Sequence, residues 1–116
     1  MRHRNKKKIL SRKRAPREAL MRGLCTSLII YEKIRTTKAK AKVLRSRVEK
    51  LITIGKINNL TSRRRLLSEL YIKSATDKVL DIFGPKYKER KGGYTRIIPI
   101  GSRKGDGAEM VIIEFV

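Results

Sequence analysis

The sequence predicts an α+β domain of two layers, with helices over a small mixed three-stranded sheet and a basic arm in front. Three observations carry that prediction. Apolar residues recur at helical spacing between Pro16 and Phe83, and from Tyr94 onward the pattern changes to runs of β-branched and aromatic residues. Before Pro16, the stretch 1–14 holds Arg2, Arg4, Lys6, Lys7, Lys8, Arg12, Lys13 and Arg14, with no acid until Glu18. Such a stretch has too little apolar surface to offset its ordering entropy and repels itself, so it reads as an arm (1–14) attached to a single domain (15–116).

The elements follow in order. Pro16 suits a first helical turn, where its missing N–H would have no partner, and Leu20, Leu24, Leu28 and Tyr31 continue at helical spacing toward an end near Ile30. The segment from Glu32 to Thr36 is too short for a helix and ends in β-branched residues, which predicts a strand. Thr37 is then placed to cap a second helix, Lys38 to Ile54, whose apolar stripe is Ala41, Leu44, Val48, Leu51 and Ile52. Gly55 is expected to end it in the left-handed conformation. A third helix carries Leu66, Leu67 and Leu70 behind a cap at Thr61 or Ser62. A short fourth begins with the capping-box pattern Ser74-x-x-Asp77, buries Val79, Leu80 and Phe83, and stops at Gly84-Pro85. Two strands, Tyr94–Ile100 and Met110–Val116, form a hairpin. Val111, Ile113 and Phe115 share one face, and Pro99 marks an edge or a bulge. A hairpin alone is marginal, so it needs the strand near Ile34 and a helical layer.

The charge bounds the function. The chain of 116 residues carries 31 Lys and Arg against 10 Asp and Glu, a formal net charge of +21. Residues 1–58 hold 19 of the cations and only 3 of the acids, so the first half is the one expected to meet a polyanion. The longest apolar runs are four residues, too short for a bilayer, and the basic start has no signal-peptide apolar region behind it. One Cys and one His cannot supply a Cys/His zinc site. Catalysis has no constellation to rest on. His3 lies in the arm, Cys25 falls within the first helix as a core thiol, and the Gly101–Gly107 loop lacks a nucleotide-binding pattern. No enzyme, no cofactor, no membrane and no small-molecule substrate are therefore expected.

Six separated patterns carry a family resemblance. The opening Met1-Arg2-His3-Arg4, Tyr31 to Thr37, Leu51-Ile52-Thr53, Gly84-Pro85-Lys86-Tyr87, Gly92 to Ile97, and the tail from Arg103 through Gly105-Asp106, Ala108, Met110 and Ile113-Glu114 together resemble the bacterial large-subunit ribosomal protein family numbered seventeen. Their order and spacing across nearly the whole chain make the resemblance specific. It implies a non-enzymatic component of the large ribosomal subunit in the cytoplasm, bound to its long ribosomal RNA near the exit of the nascent-peptide tunnel and beside neighbouring ribosomal proteins. Where the family usually has Ser and His before the first helix, this chain has Ala15-Pro16. A free RNA-binding regulator and a basic DNA-binding architectural protein are the alternatives. The sheet lacks the aromatic signature of a base-stacking RNA domain, and no recognition helix is apparent.

The candidate RNA-binding residues follow from charge and position. In the arm they are Arg2, His3, Arg4, Lys6, Lys7, Lys8, Arg12, Lys13 and Arg14, joined on the first helix by Arg17 and Arg22. At the strand-to-helix corner they are Lys33, Arg35, Thr36, Thr37, Lys38, Lys40, Lys42 and Arg45, where free N–H groups at the helix start also favour a phosphate. Arg63, Arg64 and Arg65 crowd a helix start whose dipole opposes them, so they want an external anion. The loop and hairpin contribute Lys86, Tyr87, Arg90, Lys91, Arg96 and Arg103. Tyr87 either stacks an unpaired base or packs on the sheet, and packing is the expectation for Tyr94.

Overall fold

The computed structural model describes residue 3 and residues 8–116. The chain forms α1 (Arg14–Tyr31), β1 (Lys33–Thr37), α2 (Lys38–Gly55), α3 (Leu60–Leu70), α4 (Lys73–Lys78), a π-helical turn (Val79–Phe83), α5 (Gly84–Lys86), β2 (Thr95–Ser102) and β3 (Glu109–Phe115). The run from α4 through α5 is continuous, so the order is helix, strand, three helices, two strands, as the sequence predicts.

Helix α1 begins two residues before Pro16. The first backbone bond of the helix is from Arg17 N to the Lys13 carbonyl at 3.0 Å, so Pro16 still sits where no donor is needed. Lys13, at the N-cap, gives no side-chain bond. The buried stripe is Met21, Cys25, Leu28 and Ile29, with Leu20 and Leu24 half-buried and Tyr31 exposed, so the core-facing side is rotated by one residue from the expected one. Glu32 ends the helix in the left-handed region (φ 66°), where its N–H reaches the Leu28 carbonyl at 2.7 Å. A non-glycine residue there costs on the order of 1 kcal/mol. Two contacts fix it: the Glu32 carbonyl accepts from Phe115 N, and its carboxylate lies 3.1 Å from Lys78 Nζ.

The sheet order is β1-β3-β2 and both pairings are antiparallel, so it is not mixed. The tail strand β3 enters between the hairpin partner and β1 and runs opposite to each. Ile34 pairs with Ile113 on one side and Ile97 pairs with it on the other. Beyond Pro99 the β2–β3 register slips by one residue, which places a bulge at Ile100 on an edge strand, where a proline costs no ladder bond.

Helix α2 packs across the inner face of all three strands. Its predicted stripe is fully inside: Ala41, Leu44, Val48 and Ile52 are 0% exposed. Leu28, Ile29, Leu66, Leu70, Leu80, Phe83, Val111 and Ile113 join them in one core. Each large side chain contributes about 1.5–3 kcal/mol by leaving water. An aromatic cluster closes the bottom, with Phe83 and Phe115 centroids 4.2 Å apart and Tyr87 and Tyr94 5.1 Å apart.

Four local expectations are corrected. Gly55 remains right-handed and inside α2; it must be small because a Cβ there would come within 2.5 Å of Val79 Cγ1. A Cβ on Gly84 would strike the Gly55 carbonyl oxygen. The cap of α3 is Asn59, whose Oδ1 accepts from Ser62 N at 2.8 Å, since an Asn placed just ahead of the helix outcompetes the hydroxyls. Asp77 does not close a capping box, because its carboxylate is bound by Arg63. Finally, Gly84-Pro85 does not stop the helix. The Gly84 N–H bonds back five residues to Val79, and this wider turn leaves room for a ring that would clash with the carbonyl four residues earlier in a regular α-helix.

Candidate nucleic-acid interface

The β1–α2 corner is built by alternation and capping. On β1, Ile34 and Thr36 point to the core while Lys33 and Arg35 are exposed on the opposite face. Thr37 then leaves the strand and its Oγ1 accepts from Lys40 N at 3.5 Å, opening α2. From there Lys38, Lys42 and Arg45 fall on one exposed side, at helical spacing and opposite the buried stripe. Lys8 from the arm comes over the same corner. A shallow groove of about 430 Å³ is lined by Lys8, Thr37, Lys38, Ala39, Lys42, Ala108 and Glu109.

The corner is electrostatically unbalanced. Lys38 Nζ lies 3.4 Å from Glu109 Oε2, but both side chains are at least half exposed, and such a pair is worth roughly 0–1 kcal/mol. Lys8 and Lys42 have no carboxylate within ion-pair distance among the described residues. The first turn of α2 adds its own positive dipole and free N–H groups, so an external anion is stabilised there.

A second concentration of cations lies between α1, α2 and α3. A groove of about 880 Å³ is lined there by Arg22, Arg47, Lys50, Arg65, Glu49, Glu69, Gly92 and Tyr94, among others. Arg22 donates to the Glu69 carbonyl at 3.1 Å and its guanidinium stands 3.9 Å over the Tyr71 ring. Arg47 is bound to Glu18, whose carboxyl it holds below the usual range. Lys50 and Arg65 are exposed and unpaired among the described residues. Arg47 and Lys50 were not among the sequence candidates. Their spacing of three residues on α2 was a readable signal, but the partners across the groove come from other helices. Cys25 also lines this groove, yet its thiol is pushed up to about 12 by burial, so it is inert near neutral pH.

The remaining candidates divide. Arg2, Arg4, Lys6 and Lys7 lie outside the described residues, and His3 is exposed. Arg12 donates to the Leu10 carbonyl, Arg17 donates to the Arg12 carbonyl, and Lys13 and Arg14 are exposed. Lys40 is half-buried, and Thr36 is buried at 7% exposure, so its hydroxyl is turned away from solvent. Arg64 is exposed beside Arg65, whereas Arg63 is committed to Asp77 and ties α3 to α4. Lys86, Arg90 and Lys91 are exposed around a loop whose carbonyl at Arg90 is held by Lys56.

One candidate, Tyr87, is corrected by its burial. Tyr87 is 3% exposed, stacks against Phe83 and donates its hydroxyl to the Val116 carbonyl at 2.7 Å, so its ring has no face left for a base. Arg103 makes a two-point contact with Asp106, whose carboxyl is drawn down to about 2 by that bond, and the pair shapes the hairpin tip. Tyr94, at 2% exposure, packs in the core as expected. Arg96 pairs with Glu114 across the strands at 3.1 Å.

Comparison with known proteins places the chain in a family. The sequence profile of the family described as Ribosomal protein L17 matches residues 20–116. A "Large ribosomal subunit protein bL17" of Pelobacter propionicus is 51% identical over 116 residues, covering all of this chain and 91% of its own length. The protein of that name from a Hydrogenobaculum species is 52% identical over 117 residues, covering 100% and 99% of the two chains. That of Rickettsia bellii is 45% identical, again over the full chain and 82% of the relative.

Proposed function

Because this chain belongs to the bacterial ribosomal protein L17 family, a structural component of the large subunit of the cytoplasmic ribosome and not an enzyme, we propose that its basic corner and arm hold large-subunit ribosomal RNA by phosphate neutralisation. The observation that carries this is the continuous line of exposed cations from Lys8 over Lys38 and Lys42 to Arg45, set at a helix start and left without carboxylate partners strong enough to satisfy them.

In this reading Lys8, Lys38, Lys42 and Arg45 follow the RNA backbone, while Arg64, Arg65 and Lys50 meet a second stretch beside the wider groove. Each contact releases condensed counterions, so affinity falls steeply with salt. These contacts position the protein and carry no base sequence. The basic arm ahead of α1 adds further phosphate contacts to those of the corner. As the family resemblance implies, the bound protein sits on the outer surface near the exit of the nascent-peptide tunnel.

The test compares the full chain with a chain lacking residues 2–13, by titration against large-subunit ribosomal RNA at several salt concentrations. The truncated chain is expected to bind more weakly and with a flatter salt slope, while its melting temperature stays the same because α1 starts at Arg14. Unchanged affinity sinks the role of the arm. Sedimentation of the chain away from large subunits at low magnesium would favour a free RNA-binding or DNA-binding protein instead.

A further inference from the structure

The sheet has a second face that the basic corner does not use. Register places three rows on it: Lys33, Glu114 and Arg96; Arg35, Ile112 and Ile98; and Thr37, Met110 and Gly101. Val111, Ile113 and Phe115 alternate to the opposite face and are buried under α2. Met110, Ile112 and Ile98 are outside the core cluster. Ile98 is 39% exposed and the bulged Ile100 is 44% exposed. Aliphatic side chains on a strongly basic chain thus form the centre of an open sheet face.

We propose that this outer face docks an aliphatic, carboxylate-bearing segment of a neighbouring protein of the large subunit, and that Lys33 and Arg35 serve that partner instead of RNA. The proposal rests on the ribosomal reading given above and adds a partner surface to it. Two features select the occupant. Phosphate oxygens, the groups that the basic corner binds, have nothing to offer the aliphatic Ile98 and Ile112, whereas a protein interface centre is apolar with a polar rim. The charges select the sign: Glu114 is neutralised by Arg96 at 3.1 Å, while Arg35, beside Ile112 in register, has no carboxylate partner among the described residues. A partner carboxylate set next to aliphatic side chains completes that row. A second copy of this chain would bring its own excess of +21 to the contact. The occupant lies on the face and does not extend the sheet at β2, since Pro99 and the bulge at Ile100 interrupt that edge.

The test uses purified large subunits assembled with the full chain carrying a photo-crosslinking residue at Ile100 or, in parallel, at Ala39 in the basic groove. From position 100 the expected adduct is one protein, mapped by mass spectrometry to a segment holding aliphatic residues and at least one Asp or Glu. That adduct is expected to disappear with Ile98→Asp or Arg35→Glu, two exposed positions whose change leaves the fold intact, checked by an unchanged melting temperature. An RNA adduct from position 100, no adduct at all, or a partner segment without carboxylates overturns the proposal. The Ala39 probe is read separately. If it fails to reach RNA, the ribosomal RNA reading of the corner fails, whatever position 100 touches.

Discussion

At its first turn α2 is open to water and crowded by Lys38 and Lys42, whereas at its last turn Gly55 is buried and its backbone meets another backbone at Gly84. The same helix therefore answers to opposite demands at its two ends. The open end keeps charge uncompensated within the domain, which costs little in water and becomes useful when an anion arrives. The closed end excludes even a methyl group, because Gly55 and Gly84 set the spacing that lets Val79, Leu80 and Phe83 reach the core. Stability and binding are thus separated along one element, and substitutions at the two ends should separate in measurement.

The largest effect is expected at the closed end. Gly84→Ala places a Cβ on the Gly55 carbonyl, and backbone cannot swing aside as a side-chain tip does. A drop of about 3 kcal/mol in chemical unfolding is expected, at the upper part of the range for overpacking. RNA affinity of the folded protein at low temperature should be unchanged. A Gly84→Ala protein as stable as the parent would show that the two backbones have slack.

At the open end the pattern inverts. Replacing Lys38, Lys42 and Arg45 together by Gln is expected to lower the slope of log affinity against log salt by about 2–3, one step of roughly 0.7–0.9 for each phosphate no longer neutralised. The melting temperature should move little, since these side chains are exposed and at most weakly paired. An unchanged slope would remove the corner from the interface.

A smaller effect is expected at Thr37, where fold and binding meet in one residue. Thr37→Ala removes the cap of α2 and should cost about 0.5–1 kcal/mol, near the low end for such caps because the bond to Lys40 N is long at 3.5 Å. Thr37→Ser should restore most of it. A cost of several kcal/mol would mean that Thr37 is holding the β1–α2 corner through packing instead of capping.

How much of this was legible differs from element to element. The stripe Ala41 to Ile52 could be read in the sequence because burial on a helix repeats with the helix itself, and the inner face of β3 because strand side chains alternate. The exposed cations of α2 follow as the complement of that stripe. By the same local logic, Pro99 marked the edge and the bulge.

Other matters are settled between distant segments and had to await the folded chain. Asp77 looked like a cap until Arg63, fourteen residues earlier, took its carboxylate. Gly55 looked like a helix stop until Val79 and Gly84 arrived against it. Tyr87 looked available to a base until Phe83 and the Val116 carbonyl claimed its ring and hydroxyl. Arg35 read as a cation of the strand-to-helix edge, and only the register showed that it stands beside Ile112 on the outer face. The physical reason is common to all four: local pattern fixes which way a side chain leaves the backbone, while the partner that satisfies it is chosen by packing across the chain. The order of amino acids was enough to set the elements, their buried sides and the excess of positive charge. Folding then decided which cations are spent inside the domain and which remain for a partner.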